Sequence, residues 1–275
     1  MTQIAGSLDK PEFPRSARYD ADWMMDGQMG PNAVWLTEWL GQAMALEPGM
    51  RVLDLGCGRA MSSVFLAREF DVQVWAADLW IDPDKNWKRV QDAGESARVF
   101  PLRAEAHALP FARDFFDAVI SVDAYQYFGT DVLYLGYLSN YLRPGGKLGV
   151  VVPALTRALD GGPPAHLTRP QANGKVFWEE ECWSFLTAAQ WQQLWQRCGR
   201  VTDVRCELLD DGWRHWVDFE RAVESAGKGI FPSDAEALEQ DAGQTIGFVR
   251  ALARRTEVEA VNLYEANLAA KFGVE

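Results

Sequence analysis

The stretch Arg51-Val52-Leu53-Asp54-Leu55-Gly56-Cys57-Gly58-Arg59-Ala60 decides how the rest of the chain is read. An apolar run of strand length meets two glycines one residue apart, and a helical pattern from Met61 to Phe70 follows. Glycine at such a junction takes backbone conformations closed to other residues and lets a ligand approach closely. Alone, the turn reads equally as a tight strand-to-helix connection. The next apolar run, Val72–Ala77, ends at Asp78, 22 residues beyond Gly56. An acid at the carboxyl end of the second strand is where a doubly wound sheet hydrogen-bonds a ribose. The third glycine of the dinucleotide fingerprint is missing, because Met61 stands there.

The alternation continues outward. Pro83 to about Gly94 reads as a helix, Val99–Arg103 as a short strand, and Phe116–Val122 as an apolar strand of the kind buried on both faces. Leu133–Leu142 reads as a helix stopped by Pro144-Gly145-Gly146, and Lys147–Val152 as a fifth strand. Strands and helices at this spacing give βαβ units and a parallel sheet. Upstream, residues 1–22 read as an arm or loop, and Asn32 caps a helix from Ala33 to about Met44. Downstream, residues 157–175 form a Gly- and Pro-rich loop, and Thr187 starts a helix through Cys198. Val201–Leu209 and Ile246–Ala253 read as strands, and residues 213–226 and 234–242 as helices. The tail, residues 257–275, reads as a helix with Val261, Tyr264, Leu268 and Phe272 on one stripe.

Asp54-Leu55-Gly56-Cys57-Gly58, the strand ending at Asp78, Ala104–Phe111, Phe116–Ala124 and Tyr141–Leu148 together resemble the successive motifs of class I S-adenosylmethionine-dependent methyltransferases. The resemblance covers residues 51–153 and is to the small-molecule enzymes akin to ubiquinone/menaquinone-biosynthesis and sterol methyltransferases. It implies an α/β fold: a doubly wound, seven-stranded, mostly parallel sheet of Rossmann-like methyltransferase type with helical cap elements. Five strands are expected parallel and buried, with Val201–Leu209 and Ile246–Ala253 as an antiparallel pair completing one edge. A single domain is expected over residues 1–275. Its parts are an N-terminal arm and lid helix (1–45), a cofactor-binding core (46–155), a cap and sheet edge (156–255) and a helical tail (256–275).

The same resemblance implies roles for individual residues. Asp54 and the backbone of Gly56, Cys57 and Gly58 would hold the methionine end of S-adenosyl-L-methionine. Asp78 would accept from both ribose hydroxyls, and Leu79 would pack on the adenine. Glu105 would meet the adenine amino group, with Ala106 at the ring and His107 at the pocket edge. Asp123, ending the fourth strand at the switch point, would touch the cofactor's amino group or the substrate. Tyr125 and Gln126, just beyond, would line the substrate pocket or pack at a helix entry. Asp123, Tyr125 and His215 are the candidates for a general base, needed only if the nucleophile arrives protonated. The implied activity is methyl transfer to a small-molecule acceptor by in-line displacement, driven by proximity and desolvation. The alternative is an S-adenosylmethionine-binding protein with another reaction or a sensing role.

Composition narrows the partners. The chain has 27 Lys+Arg against 39 Asp+Glu, a net charge of −12. That balance argues against nucleic acid and anionic membrane surfaces, both of which call for clustered cations. The four cysteines form no C-x-x-C pair and the three histidines lack ligand spacing, so no disulfide and no metal is expected. No signal-like or membrane-spanning segment stands out, and a cytoplasmic location is expected. Nothing fixes the oligomeric state.

Three further expectations concern access to the site. Residues 24–32 hold Gly27 and Gly30 beside Met24, Met25 and Met29, the makings of a flexible gate. Residues 22–32 and the loop 157–175 are together expected to close the substrate chamber, and residues 210–245 are expected to lie as helices over its rim. Twelve tryptophans are many for 275 residues, and Trp191 and Trp195, four apart on a helix, read as core.

Overall fold

The computed structural model describes residues 8–257 and 268–273. Seven strands, β1 (Arg51–Leu55), β2 (Gln73–Asp78), β3 (Val99–Arg103), β4 (Phe116–Val122), β5 (Leu142–Leu155), β6 (Val201–Leu208) and β7 (Ile246–Arg255), form one sheet in the order β3-β2-β1-β4-β5-β7-β6. The first five are parallel, and β7 runs antiparallel to both β5 and β6. β6 therefore points the same way as the five, so only β7 is reversed. The order changes direction between β1 and β4, which opens a crevice at their carboxyl ends.

The helices are α1 (Ala21–Asp26), α2 (Ala33–Met44), α3 (Met61–Phe70), α4 (Pro83–Asp92), α5 (Tyr134–Leu138), α6 (Ala165–Thr168), α7 (Ala188–Gln196), α8 (Gly212–Ser225), α9 (Ala235–Asp241) and α10 (Leu268–Lys271). Local chemistry starts several of them. The Asn32 side chain accepts from the Val34 and Trp35 amides at 3.0 and 3.3 Å, Asp82 caps α4 with Pro83 at its first position, and Thr187 with Gln190 forms a capping box on α7.

Successive residues of a strand face opposite ways. On one face Val52, Val74, Ala118 and Ile120 join a core with α2, α3, α8 and α9; on the other Leu53, Leu55, Val119 and Val150 pack on α5 and α7. β4 and β7 are buried almost throughout. The expectation of five buried strands is corrected at β3, an edge strand whose middle residues are only half-buried. Trp191 and Trp195 are fully buried, as their spacing implies.

Residues 8–22 are not a free arm. Leu8, Phe13 and Ser16 are buried, and Glu38 of α2 accepts from the amides of Arg15 (2.9 Å) and Ser16 (2.7 Å) and from the Ser16 hydroxyl (2.6 Å). A buried carboxylate with three donors in the same stretch ties it to the core. The loop 157–175 is also folded down. It carries α6 and a bridge between Pro170 and Val176, Leu167 is buried, and His166 reaches Asp241 of α9 at 2.9 Å. The helical tail expected over 257–275 falls mostly outside the described residues; α10 and an exposed Phe272 are its described part.

Glu38→Ala should leave two buried amides without acceptors, at about 1–3 kcal/mol each. Urea unfolding should show a loss of about 2–5 kcal/mol with an unchanged slope, and a loss under about 1 kcal/mol would contradict this anchoring.

Candidate active site

At the carboxyl ends of β1, β2 and β4 lies a cavity of about 300 Å³. Its floor is the turn between β1 and α3. Gly56 has φ +75° and Gly58 φ +52°. A Cβ on Gly56 would stand 2.3 Å from that of Ala124, so the β1 turn and the β4 turn can meet only with glycine here.

The turn is held from several sides. The amides of Gly56 and Cys57 donate to the Ala77 carbonyl at 2.8 and 3.1 Å, and the Gly58 amide donates to Asp78 Oδ2 at 2.8 Å. Asn86 of α4, almost wholly buried, donates to the Gly58 carbonyl at 2.8 Å. Asp78 Oδ1 accepts from the Trp80 and Ile81 amides, both at 2.8 Å. A carboxylate offers about four acceptor positions. Three are used, so Asp78 keeps one towards the cavity it lines, fewer than two ribose hydroxyls acting alone would require.

Asp54 shares a strand face with Val52 and so points towards α3. Its Oδ2 accepts from the Ser62 and Ser63 hydroxyls at 2.6 Å each, and its buried Oδ1 has no partner. Burial pushes its carboxyl up to about 6, against the pull of the two serines. Asp54 does not line the cavity; it lies one layer below and fastens α3 to β1. Burial, reinforced by Asp54 and Asp78, also raises the Cys57 thiol.

The other wall is β4 and the turn after it. Asp123 has φ +54°, a left-handed conformation a non-glycine residue seldom adopts. Its amide donates to the Val151 carbonyl at 2.8 Å, and Gln126 Nε2 donates to Asp123 Oδ1 at 3.4 Å. The residue, half-buried, lines the cavity, and burial pushes its carboxyl up to about 7, slightly opposed by Gln126. Gly30 lies against it, where a Cβ would be 2.8 Å from Asp123 Oδ2.

Gly56, Cys57, Gly58, Asp78, Leu79, Glu105, Ala106, His107 and Asp123 all line this one cavity. Glu105 is engaged by its neighbour: it accepts from the His107 amide and meets His107 Nδ1, both at 2.9 Å. Tyr134 donates to the Ala106 carbonyl at 3.1 Å and fixes that backbone.

Three expected residues are elsewhere. Tyr125 is fully buried and rings Phe128, Tyr134, Trp191 and Trp195 at 5.5–5.9 Å, so packing takes it from the pocket. Gln126 is buried behind Asp123. His215 of α8 packs on Phe13 at 4.9 Å and Trp35 at 6.0 Å, where burial lowers its basicity. Neither it nor any residue of 157–175 or 210–245 lines the cavity. Those helices sit on the α2–α3 face instead. They reach the site indirectly, through Lys228 on Asp22 (2.8 Å) and Asp26 (2.9 Å) of α1.

The segment 24–32 does border the cavity through Gly27, Met29 and Gly30, but Met24 and Met25 are buried in and beside α1 rather than flexible. Sequence reasoning missed Asn86, Arg59 and Trp80, and within the stretch 125–128 it favoured Tyr125 and Gln126 over the cavity-lining Tyr127 and Phe128. The signal for the last two was their position in the same turn as Tyr125; Asn86 gave none, being one polar residue on a polar helix.

The residues suit a cationic cofactor with a ribose. Gly56 and Gly58 leave the floor without side chains, Asp78 retains an acceptor position, Leu79 offers exposed apolar surface, and carboxyls outnumber cations. Among the described residues no group of three or more His, Cys, Asp or Glu gathers as metal ligands, and no helix is long and apolar enough to cross a membrane.

Residues 52–146 match a family model described as a methyltransferase domain. The methyltransferase GfsG of Streptomyces halstedii is 29% identical over 126 residues, 46% of this chain and 45% of its own length. The demethylmenaquinone methyltransferase of Mycolicibacterium paratuberculosis is 36% identical over 111 residues, 39% of this chain and 44% of its own. The chain thus spans about half the length of these relatives. In fold it is similar to a Haemonchus contortus phosphoethanolamine N-methyltransferase (TM-score 0.66, 17% identical, covering 94% of this chain and 61% of that one). It is likewise similar to SpnF, a (4+2)-cyclase (TM-score 0.62, 20% identical, 84% of each chain).

Burial raises the Asp123 carboxyl from an ordinary 3.8 to about 7 in the folded chain. The folded state then holds the extra proton between about pH 4 and 7, and stability falls as pH rises through that window. About three pKa units bound the loss at about 4 kcal/mol. Asp123→Asn should remove that part of the fall, read as the difference in unfolding free energy between pH 4.5 and 8 by urea titration. Equal pH slopes in the two proteins would exclude a buried, uncompensated carboxyl.

Proposed function

We propose that this chain, whose central segment is a class I S-adenosylmethionine-dependent methyltransferase domain, transfers a methyl group to a small-molecule acceptor held in the cavity above the β1–α3 turn. The observation that carries the reading is the meeting of Gly56, Gly58, Asp78 and Asp123 around one cavity at the switch point of the sheet. When bound, S-adenosylmethionine supplies an activated methyl on a sulfonium centre. The backbone of Gly56, Cys57 and Gly58 would hold the amino-acid end, with Asp54 stiffening that turn from below. Asp78 would take the ribose with its remaining acceptor position. Leu79, Ala106 and His107 would border the base, next to the Glu105 carboxylate.

The chain's own contribution is alignment and exclusion of water, worth several kcal/mol of barrier when the reacting atoms are held in line. Met29, Gly30 and Pro31 cover one side of the cavity, held through α1 by Arg59 Nη1, which donates to the Asp26 carbonyl at 2.8 Å. Similar proteins include both an O-methyltransferase and a sterol C-methyltransferase, so the kind of atom methylated is not fixed by the likeness. A small acceptor and a location inside the cell are part of this reading.

Calorimetry tests it. S-adenosylhomocysteine should bind at one site, and Asp78→Ala should weaken binding more than tenfold, about 1.4 kcal/mol or more. An unchanged affinity in a folded variant would remove Asp78 from the site. Tight binding of NAD with none of S-adenosylhomocysteine would overturn the reading, and binding without formation of S-adenosylhomocysteine from any acceptor would favour a non-transfer role.

A further inference from the structure

The cavity mouth and the wall around Asp123 carry chemistry that cofactor binding does not use. Trp80 is 70% exposed and Tyr127 53%, and their rings face each other with centroids 6.1 Å apart at 57°. Both line the cavity, with Phe128, Met29 and Pro31. Large apolar rings left in water at a cavity mouth are a liability unless something covers them.

The charges are one-sided. Asp78, Glu105 and Asp123 supply carboxyls, while Arg59 is the one Lys or Arg among the described lining residues, and its Nη1 is on the Asp26 carbonyl. No lysine or arginine pairs with Asp123 among the described residues. The Gln126 amide donates to its Oδ1, and Oδ2 lies under Gly30. Other titratable groups near it are Tyr127 on its own turn, Cys57, Asp78 and Arg59 on the cavity walls, and Glu181 and Cys182 on the turn facing Tyr127.

We propose that Asp123 is a catalytic residue that takes the acceptor's proton, and that the acceptor is an uncharged, apolar, ring-bearing molecule that packs over the exposed faces of Trp80 and Tyr127 at the cavity mouth and presents a hydroxyl. This rests on the reading of the cavity as a methyl-transfer chamber. The bonds balance: the acceptor oxygen gains the methyl carbon, its proton passes to an oxygen of Asp123, and the carbon–sulfur electron pair stays with sulfur. A phosphorylated acceptor is disfavoured because it would bring negative charge against three carboxyls with one engaged guanidinium. Gln126 is a positioning residue: its amide fixes Oδ1 and leaves Oδ2 facing the space beside Gly30. Burial that keeps the Asp123 proton near neutrality suits a group that must both accept and release it.

The test uses the full chain saturated with S-adenosylhomocysteine and three probes: 2-naphthol, its methyl ether 2-methoxynaphthalene, and 2-naphthyl phosphate. Dissociation constants are read by equilibrium dialysis from pH 5.5 to 8, below the range of an ordinary phenol. 2-Naphthol should bind at least fivefold tighter at pH 8 than at 5.5, since an ionised carboxylate is the stronger acceptor. The methyl ether, lacking the proton, should show no such dependence, and neither should 2-naphthol on Asp123→Asn. The phosphate should bind at least tenfold more weakly than 2-naphthol at pH 8. Trp80→Ala and Tyr127→Ala should each weaken 2-naphthol about tenfold. Binding of 2-naphthol that is absent, or independent of pH on the wild-type protein, would overturn the proposal, as would equal affinity for the phosphate. Retained binding of S-adenosylhomocysteine in that case would leave the cofactor reading standing, whereas its loss would remove both.

Discussion

The Gly58 peptide unites the site. Its amide donates to Asp78 at the end of β2, and its carbonyl accepts from Asn86 on α4. A charge-assisted bond on one side and a buried amide on the other define where the β1–α3 turn can lie. Gly56, two residues earlier, is pressed against Ala124 after β4. Three strand ends thus converge on five residues of chain, and the cavity is the space left above them. Side chains at Gly56 or Gly58 would separate those ends, because the first would overlap Ala124 and both would need a left-handed backbone.

Below that turn the fold trades local polarity for packing. Asp54 sits among the buried apolar residues Val52, Leu53 and Leu55 of β1, and its cost is offset only in part by Ser62 and Ser63. The unpartnered Oδ1 and the raised proton affinity mark it as a strained component of the core. Asp123 is a second such component, with an unfavourable backbone angle added. Both lie within the same few residues of the switch point. By contrast Glu38 is engaged by Arg15 and Ser16, and Asp241 by His166, Thr245 and Ile246. Of the two components at the switch point, Asp54 holds α3 to β1 and Asp123 faces the cavity.

The cap differs from a lid that swings over the mouth. α8 and α9 pack on β7 and α2 through Trp216, Phe219 and Phe248, and the loop 157–175 is stitched to them by Gln171, Asn173 and Lys175. Lys228 on Asp22 and Asp26, with Gln28 donating to the Lys228 carbonyl at 3.2 Å, joins the cap to α1 and the segment after it.

The sequence by itself determined the parallel core and the address of the cavity. Period-two and buried-run patterns are local, and the Asp54–Gly58 turn and Asp78 lie one strand-helix-strand unit apart, so chain distance stands in for space. Helix starts at Asn32 and Thr187 were legible for the same reason, since a cap bonds within three residues. Tertiary structure alone decided which side chains face the cavity beyond those strand ends. Tyr125 and Tyr127 share a turn and a residue type, yet one is sealed by Trp191 and Trp195, about 70 residues on, and the other faces Trp80. Asn86 and His215 show the same limit in opposite directions. The first reaches the Gly58 carbonyl from a polar helix, and the second is drawn to Phe13 and Trp35. The orientation of β6 and the seating of 157–175 on α9 follow likewise from which apolar faces must be covered. That is a property of the assembled layers, to which no single segment carries the answer.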